Sequence, residues 1–231
     1  KVLFLWSIYS DVEIPLLEYM QTYPDLMKYV IFNSLTFNCY LEPKPTERRE
    51  TLLELVSAHG FDLTLDDMSL IFAGPSWMYS AYPHTAQKHD IKNVINSAYR
   101  NYLLAGGITE PKFPTRRNLV KKPKIVVVIE QMTSNHAVFR CYGKALESLR
   151  EKFETVGVAT RSHVDDGAMA IFDHVVYLEE DAVAGTRKNV GKIVKHKPDI
   201  MIYLSLGMQN NTIPMANLRL APIQLFLMAH P

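Results

Sequence analysis

The chain has 231 residues, 48% of them hydrophobic and 21% charged, with a formal net charge of +1. That composition is ordinary for a globular protein with one large or two modest cores. It gives no electrostatic case for nucleic acid, since no Lys/Arg stripe is interleaved with aromatics. No apolar run reaches the length of a transmembrane helix, so no membrane span is expected. Cys39 and Cys141 lie far apart and lack metal-ligand spacing, which fits a reducing, cytoplasmic compartment better than a disulfide framework.

The opening stretch KVLFLWSIYSDVEIP carries one lysine and a short apolar run. No small-residue cleavage site follows, and Asp11 and Glu13 arrive early, so it reads as a core element of a chain that begins mid-domain. Residues 1–104 read as a helical domain. Leu16, Leu17, Tyr19 and Met20, then Leu26, Met27, Val30 and Ile31, recur at helical spacing. The stretch 45–59 opens on Pro45-Thr46 and ends at Gly60, which punctuates a helix at both ends. Residues 90–104 form another, with Ile91, Val94, Ile95, Ala98 and Tyr102 on one face. Residues 105–124, AGGITEPKFPTRRNLVKKPK, combine adjacent glycines, prolines and a basic cluster, and read as a solvated linker.

After the linker the period changes. The β-branched run 125–129 suits a strand buried on both faces. A helix over 137–152, strands at 155–160 and 174–178, a helix over 181–195, and strands at 200–204 and 223–228 complete the pattern. Strands alternating with helices over 125–231 predict a parallel, Rossmann-like lobe. The expected fold class is therefore mixed, an all-α domain followed by a parallel α/β lobe. The chain stops at LFLMAHP, directly after a strand-like run, and so reads as part of a longer protein.

In open parallel sheets ligands bind beyond the carboxyl ends of the strands. The first strand is followed by EQMTSNHAVFR, where Ser134 or Asn135 is expected to cap the next helix. His136 then falls near the first turn as a neutral imidazole able to accept a proton, and Arg140 shares its helix face. The second strand leads to His163, Asp165 and Asp166 beside Gly167; an acid–base or metal pair is conceivable there, but Asp-Asp-Gly reads first as a turn. The fourth leads to LSLGMQNNT, where Gly207 lets the backbone approach a ligand closely, and Asn210-Asn211-Thr212 spells a sequon. No GxGxxG turn, P-loop, HExxH or nucleophile elbow is present.

Three segments, NHAVFR, PDIMIYLSLGM and LRLAPIQLFLMAHP, resemble the acceptor-side lobe of the O-GlcNAc transferase superfamily. Within it the chain resembles the bacterial cytoplasmic N-glycosyltransferases that glucosylate high-molecular-weight adhesins. In the helical part, SWMYSAY and QKHDIKNVIN are similar to that family's all-α domain, so the resemblance covers most of 45–231. It implies a GT-B transferase preceded by a helical domain and lacking, in this chain, the C-terminal donor lobe. The implied reaction is metal-independent, inverting transfer of a hexose from a UDP-sugar co-substrate to a protein acceptor such as an adhesin, without a cofactor. His136 falls on the acceptor-side histidine, with Asn135 and Arg140 beside it. Gly207, Met208 and His230, of the closing His-Pro, fall on the donor side.

The chain also departs from the family. Tyr79 stands where a helical-domain histidine is expected, Gln131 replaces a second histidine, and Pro75 replaces an upstream aspartate. These replacements fall on the acceptor side. Transfer to Ser/Thr, an inactive homologue and a protein-binding module therefore stand as alternatives to transfer onto Asn.

Overall fold

A computed structural model of the protein describes residues 2–36, 42–113, 122–180 and 185–227. They fall into two units that divide between Gly106 and Gly107.

The first unit is helical: α1 (Val2–Leu5), α2 (Leu16–Thr22), α3 (Pro24–Thr36), α4 (Pro43–His59), α5 (Asp67–Tyr79) and α6 (Asp90–Ala105), with a 3-10 turn at Ala86–His89. Helix α4 starts two residues before the expected Pro45, with proline in its first turn, and closes where the Gly60 N–H reaches the Val56 carbonyl. Helix α3 packs on α5 and α4 on α6. Met27, Ile31, Leu35, Leu52, Leu53 and Ile95 are at most 1% exposed, and they form the centre of this unit.

Helix α5 has no counterpart among the expected elements. A capping box starts it: Asp66 Oδ1 accepts from Ser69 N at 2.8 Å, and Asp66 N donates to Ser69 Oγ at 2.7 Å. Lys28 Nζ, 2.5 Å from Asp66 Oδ2, and the Tyr29 hydroxyl join the same carboxylate. Burial pushes the Asp66 carboxyl up, but the bonds from Lys28, Ser69 and Tyr29 outweigh it and hold the group well below the usual range.

The second unit contains β1 (Lys124–Ile129), α7 (Ala137–Ser148), β2 (Glu154–Thr160), α8 (Asp166–Met169), β3 (His174–Leu178), α9 (Thr186–Val194), β4 (Ile200–Tyr203), α10 (Thr212–Ala216) and β5 (Ile223–Phe226). The five strands form one sheet in the order β3-β2-β1-β4-β5, and every neighbouring pair is parallel. The expected Rossmann-like lobe is present. All of Ile125–Ile129 lies within 2% of full burial, as a central strand covered on both faces requires. Ile125, Val127 and Ile129 pack into one cluster with Val138, Leu146, Met169 and Phe172. Their neighbours Val126 and Val128 point to the opposite face and are 0% exposed.

Boundaries differ in detail. The helix expected over 137–152 ends at Ser148 and tightens into a 3-10 turn, Leu149–Glu151. Helix α9 runs from Thr186, and residues 181–184 of the expected helix lie outside the described residues. The last strand closes at Phe226, and Met228 lies outside the described residues. The strand order runs outward in both directions from β1 and β4, which makes their carboxyl ends the topological switch point.

Candidate functional site

At the switch point the first residue past β1 is Glu130, a carboxylate only 1% exposed. It is held by the turn that follows β4. Its Oε1 accepts from Gly207 N at 2.9 Å and Gln209 N at 3.1 Å, and its Oε2 from Ser205 Oγ at 2.8 Å and Met208 N at 3.3 Å. The Thr212 hydroxyl also hydrogen-bonds Oε1. Three successive backbone N–H groups thus converge on one buried anion, a concave arrangement of the kind that binds phosphates elsewhere. Gly207 permits it, because its φ of 113° is a conformation that side-chain-bearing residues rarely adopt. The loops after β1 and β4 are locked together across the crevice.

The loop 131–136 is braced from the other side. Met132 N donates to the His163 carbonyl at 3.0 Å, and Met132 bridges Val164 in parallel. Ser134 donates to Asp165 twice, N to Oδ2 and Oγ to Oδ1, both at 2.8 Å, while Asp165 also caps α8 through Ala168 N at 2.7 Å. The backbone bonds from Ser134 and Ala168, followed by the Ser134 hydroxyl, hold the Asp165 carboxyl below its usual range. Gly167 leaves the room, since a β-carbon there would lie 2.6 Å from Ser134 Oγ. The Asp165-Asp166 pair is therefore a helix cap and a brace; Asp166 pairs outward with Arg161 at 2.7 Å. Among the described residues no three His, Cys, Asp or Glu side chains are grouped as metal ligands.

The capping expectation needs correction. Neither Ser134 nor Asn135 caps α7. The cap is His136, whose extended backbone (φ −76°, ψ 148°) lets its own Nδ1 accept from Val138 N at 3.4 Å. Its N–H donates to the Thr133 carbonyl at 2.8 Å and its carbonyl receives Arg140 N at 3.1 Å. The Ser134 hydroxyl is drawn to Asp165, and the Asn135 carbonyl accepts from Arg140 Nη1 at 2.6 Å. His136 is half-buried, and Asn135 and Arg140 are exposed around it.

No family model matches the chain. Over 193 residues it is 25% identical to the UDP-glucose:protein N-β-glucosyltransferase of Actinobacillus pleuropneumoniae serotype 5b (strain L20). It is 26% identical over 189 residues to the enzyme of serotype 7 (strain AP76). Each match takes in 80% of this chain and 30% of the relative. The chain is a distant homologue of bacterial protein N-glucosyltransferases. Its fold is shared with part of a variant of the Thermobaculum terrenum O-GlcNAc transferase, at a TM-score of 0.51 and 14% identity over 89% of this chain and 36% of that one. This glucosyltransferase homologue thus spans about a third of the length of the proteins it matches.

The residues expected at the site are distributed as follows. His136, Asn135, Arg140 and the exposed Gln131 belong to the loop and helix after β1. Gly207 is buried under the Glu130 carboxylate, and Met208 is 41% exposed. Tyr79 closes α5 in the helical unit, half-buried, with its ring 6.0 Å from that of Tyr82. His230 lies outside the described residues. In the sequon, Asn210 is exposed, but Thr212 is 1% exposed and its hydroxyl is engaged inside the turn. Glu130, which organises this end of the sheet, is not among the expected site residues, and Asp165, read first as a turn, acts as helix cap and brace.

Proposed function

We propose that this chain is the acceptor-side part of an inverting glycosyltransferase that moves a hexose from a UDP-sugar to a protein side chain, with asparagine as the first candidate acceptor. The observation that carries the reading is the 25% identity over 193 residues to an enzyme whose name states both donor and acceptor class. Transfer is a single displacement at the anomeric carbon, without metal or cofactor. His136 lies against the acceptor, Arg140 and Asn135 shape its surroundings, and Gln131 tunes which acceptor is taken; Tyr79, in the helical unit, is an acceptor-side candidate by the family resemblance alone. Gly207 and Met208 are assigned to the donor side, and His230 is assigned there by the family resemblance alone. The match covers 30% of each relative, and we assign the groups that neutralise the departing diphosphate to the relatives' remaining length.

Two measurements test this. Calorimetry with UDP should show binding when the donor-binding half is supplied; absence of binding with and without it would support a protein-binding module instead. In a transfer-competent protein, His136→Ala should lower hexose transfer by about 100-fold, the scale of one positioned hydrogen-bonding or proton-transfer group. Transfer that survives within a few-fold would remove His136 from the site.

A further inference from the structure

We infer that His136 serves this site as a hydrogen-bond donor through Nε2–H and not as the base. The inference rests on the glycosyltransferase reading for its consequence, but on the geometry of this loop for its substance.

A backbone amide can only donate. The bond from Val138 N to His136 Nδ1 therefore needs an unprotonated Nδ1. A neutral imidazole carries one N–H, so its proton sits on Nε2, and Nε2 has no lone pair in the ring plane with which to take another. Adding a second proton to the ring would place it on Nδ1, against the amide of Val138 and the positive end of α7, a helix of 12 residues. The tautomer is built into the loop and does not depend on a ligand. The backbone that carries the ring is fixed, His136 N on Thr133, Ser134 on Asp165 and Met132 on His163, and turning the ring over would release the Val138 N–H at the start of α7. Arg140 contributes no competing acceptor, because a guanidinium only donates, and its Nη1 donates to the Asn135 carbonyl.

Nε2–H is the ring atom left to meet a ligand, and it can only donate. For an asparagine acceptor the group it would hold is the side-chain carbonyl. Holding the side-chain carbonyl of an asparagine leaves its amide nitrogen to face the donor, which is a positioning role. The acceptor's proton is then not received by His136.

The tautomer can be read directly. In 15N-histidine-labelled protein, long-range proton–nitrogen correlation spectra should show His136, assigned by its loss in His136→Gln, with Nε2 protonated and Nδ1 bare. A ring protonated on Nδ1 and bare on Nε2 at neutral pH would overturn the inference. The role is read by three substitutions in the transfer-competent protein. Glutamine keeps an N–H donor and offers no base, glutamate offers a base and no donor, and alanine offers neither. His136→Gln should retain transfer within about 10-fold, while His136→Glu and His136→Ala each lose about 100-fold. Glutamate outperforming glutamine would overturn the donor role. Wild-type protein that transfers nothing from UDP-glucose to any acceptor would refute the glycosyltransferase reading and the role with it, leaving the tautomer result to stand on its own.

Discussion

Replacing Glu130 tests whether one buried carboxylate organises the switch point. Its five donors divide unevenly: Gly207 N, Gln209 N and the Thr212 hydroxyl on Oε1, Ser205 Oγ and Met208 N on Oε2. Glu130→Ala strips all of them and leaves three backbone N–H groups at a site where the carboxylate was 1% exposed. Breaking such a buried charged network costs about 3–5 kcal/mol. Glu130→Gln is milder. Its carbonyl can take the Oε1 position and its three donors, leaving the amide NH2 where Oε2 was. There Ser205 Oγ can rotate to accept, and only Met208 N, already the longest of the amide contacts at 3.3 Å, is left facing another donor. One opposed pair costs about 1–2 kcal/mol. The assay is urea unfolding of both variants beside wild type, with amide hydrogen exchange at 207–209 to localise the effect. The expected order is wild type, then Gln, then Ala, with exchange at those three amides accelerated most. If both variants unfold within about 0.5 kcal/mol of wild type, the surface-substitution scale, Glu130 does not organise the turn.

Three further outcomes follow from the same geometry. Gly167→Ala places a β-carbon 2.6 Å from Ser134 Oγ and should cost about 1–3 kcal/mol; in a Ser134→Gly background, which lacks that hydroxyl, the same substitution should cost much less, and an unchanged cost in thermal melts would contradict the contact. Asp165 has its carboxyl lowered by Ser134 and Ala168, so its contribution is complete above the ordinary value of 3.8 and fades as pH falls below it. The stability difference between wild type and Asp165→Asn should therefore shrink in acid, and a difference that grows would show the opposite sign. Lys92 lies over the Trp77 ring at 4.4 Å, and burial, then Lys88, lowers its ammonium to about 8 from 10.5. The unfolded chain binds more protons between those values, so stability relative to Lys92→Met should rise from pH 8 to 10.5. Parallel melting curves across that window would contradict the assignment.

Much of the fold is legible in the sequence because its strongest signals are local. The β-branched run Ile125–Ile129 declares a central strand, and proline and glycine at the ends of α4 declare a helix. Helix α5 is hidden because Pro75 interrupts it and its apolar residues lie all round: Leu70 and Ala73 are buried, while Met68 and Ile71 are 59% and 57% exposed. Its capping box pairs Asp66 with Ser69 in place of the usual Glu or Gln. The site is less legible because its organising contacts are distant. Glu130 looks like a solvated residue at a strand end, and its partners lie 75 to 82 positions away. Ser134 is the statistically better cap for α7, but Asp165, 31 residues on, claims its hydroxyl and leaves the cap to His136. A histidine cap has no sequence signature, yet it decides which nitrogen is free.

We propose that these residues form the acceptor side of a UDP-hexose:protein transferase. Incubating transfer-competent protein with UDP-glucose and an Asn-X-Thr acceptor polypeptide, then mapping modification by peptide mass spectrometry, tests it most directly. The account predicts a hexose on the asparagine side chain, lost when that asparagine is replaced by glutamine. Acceptor recovered unmodified while UDP still binds would contradict it.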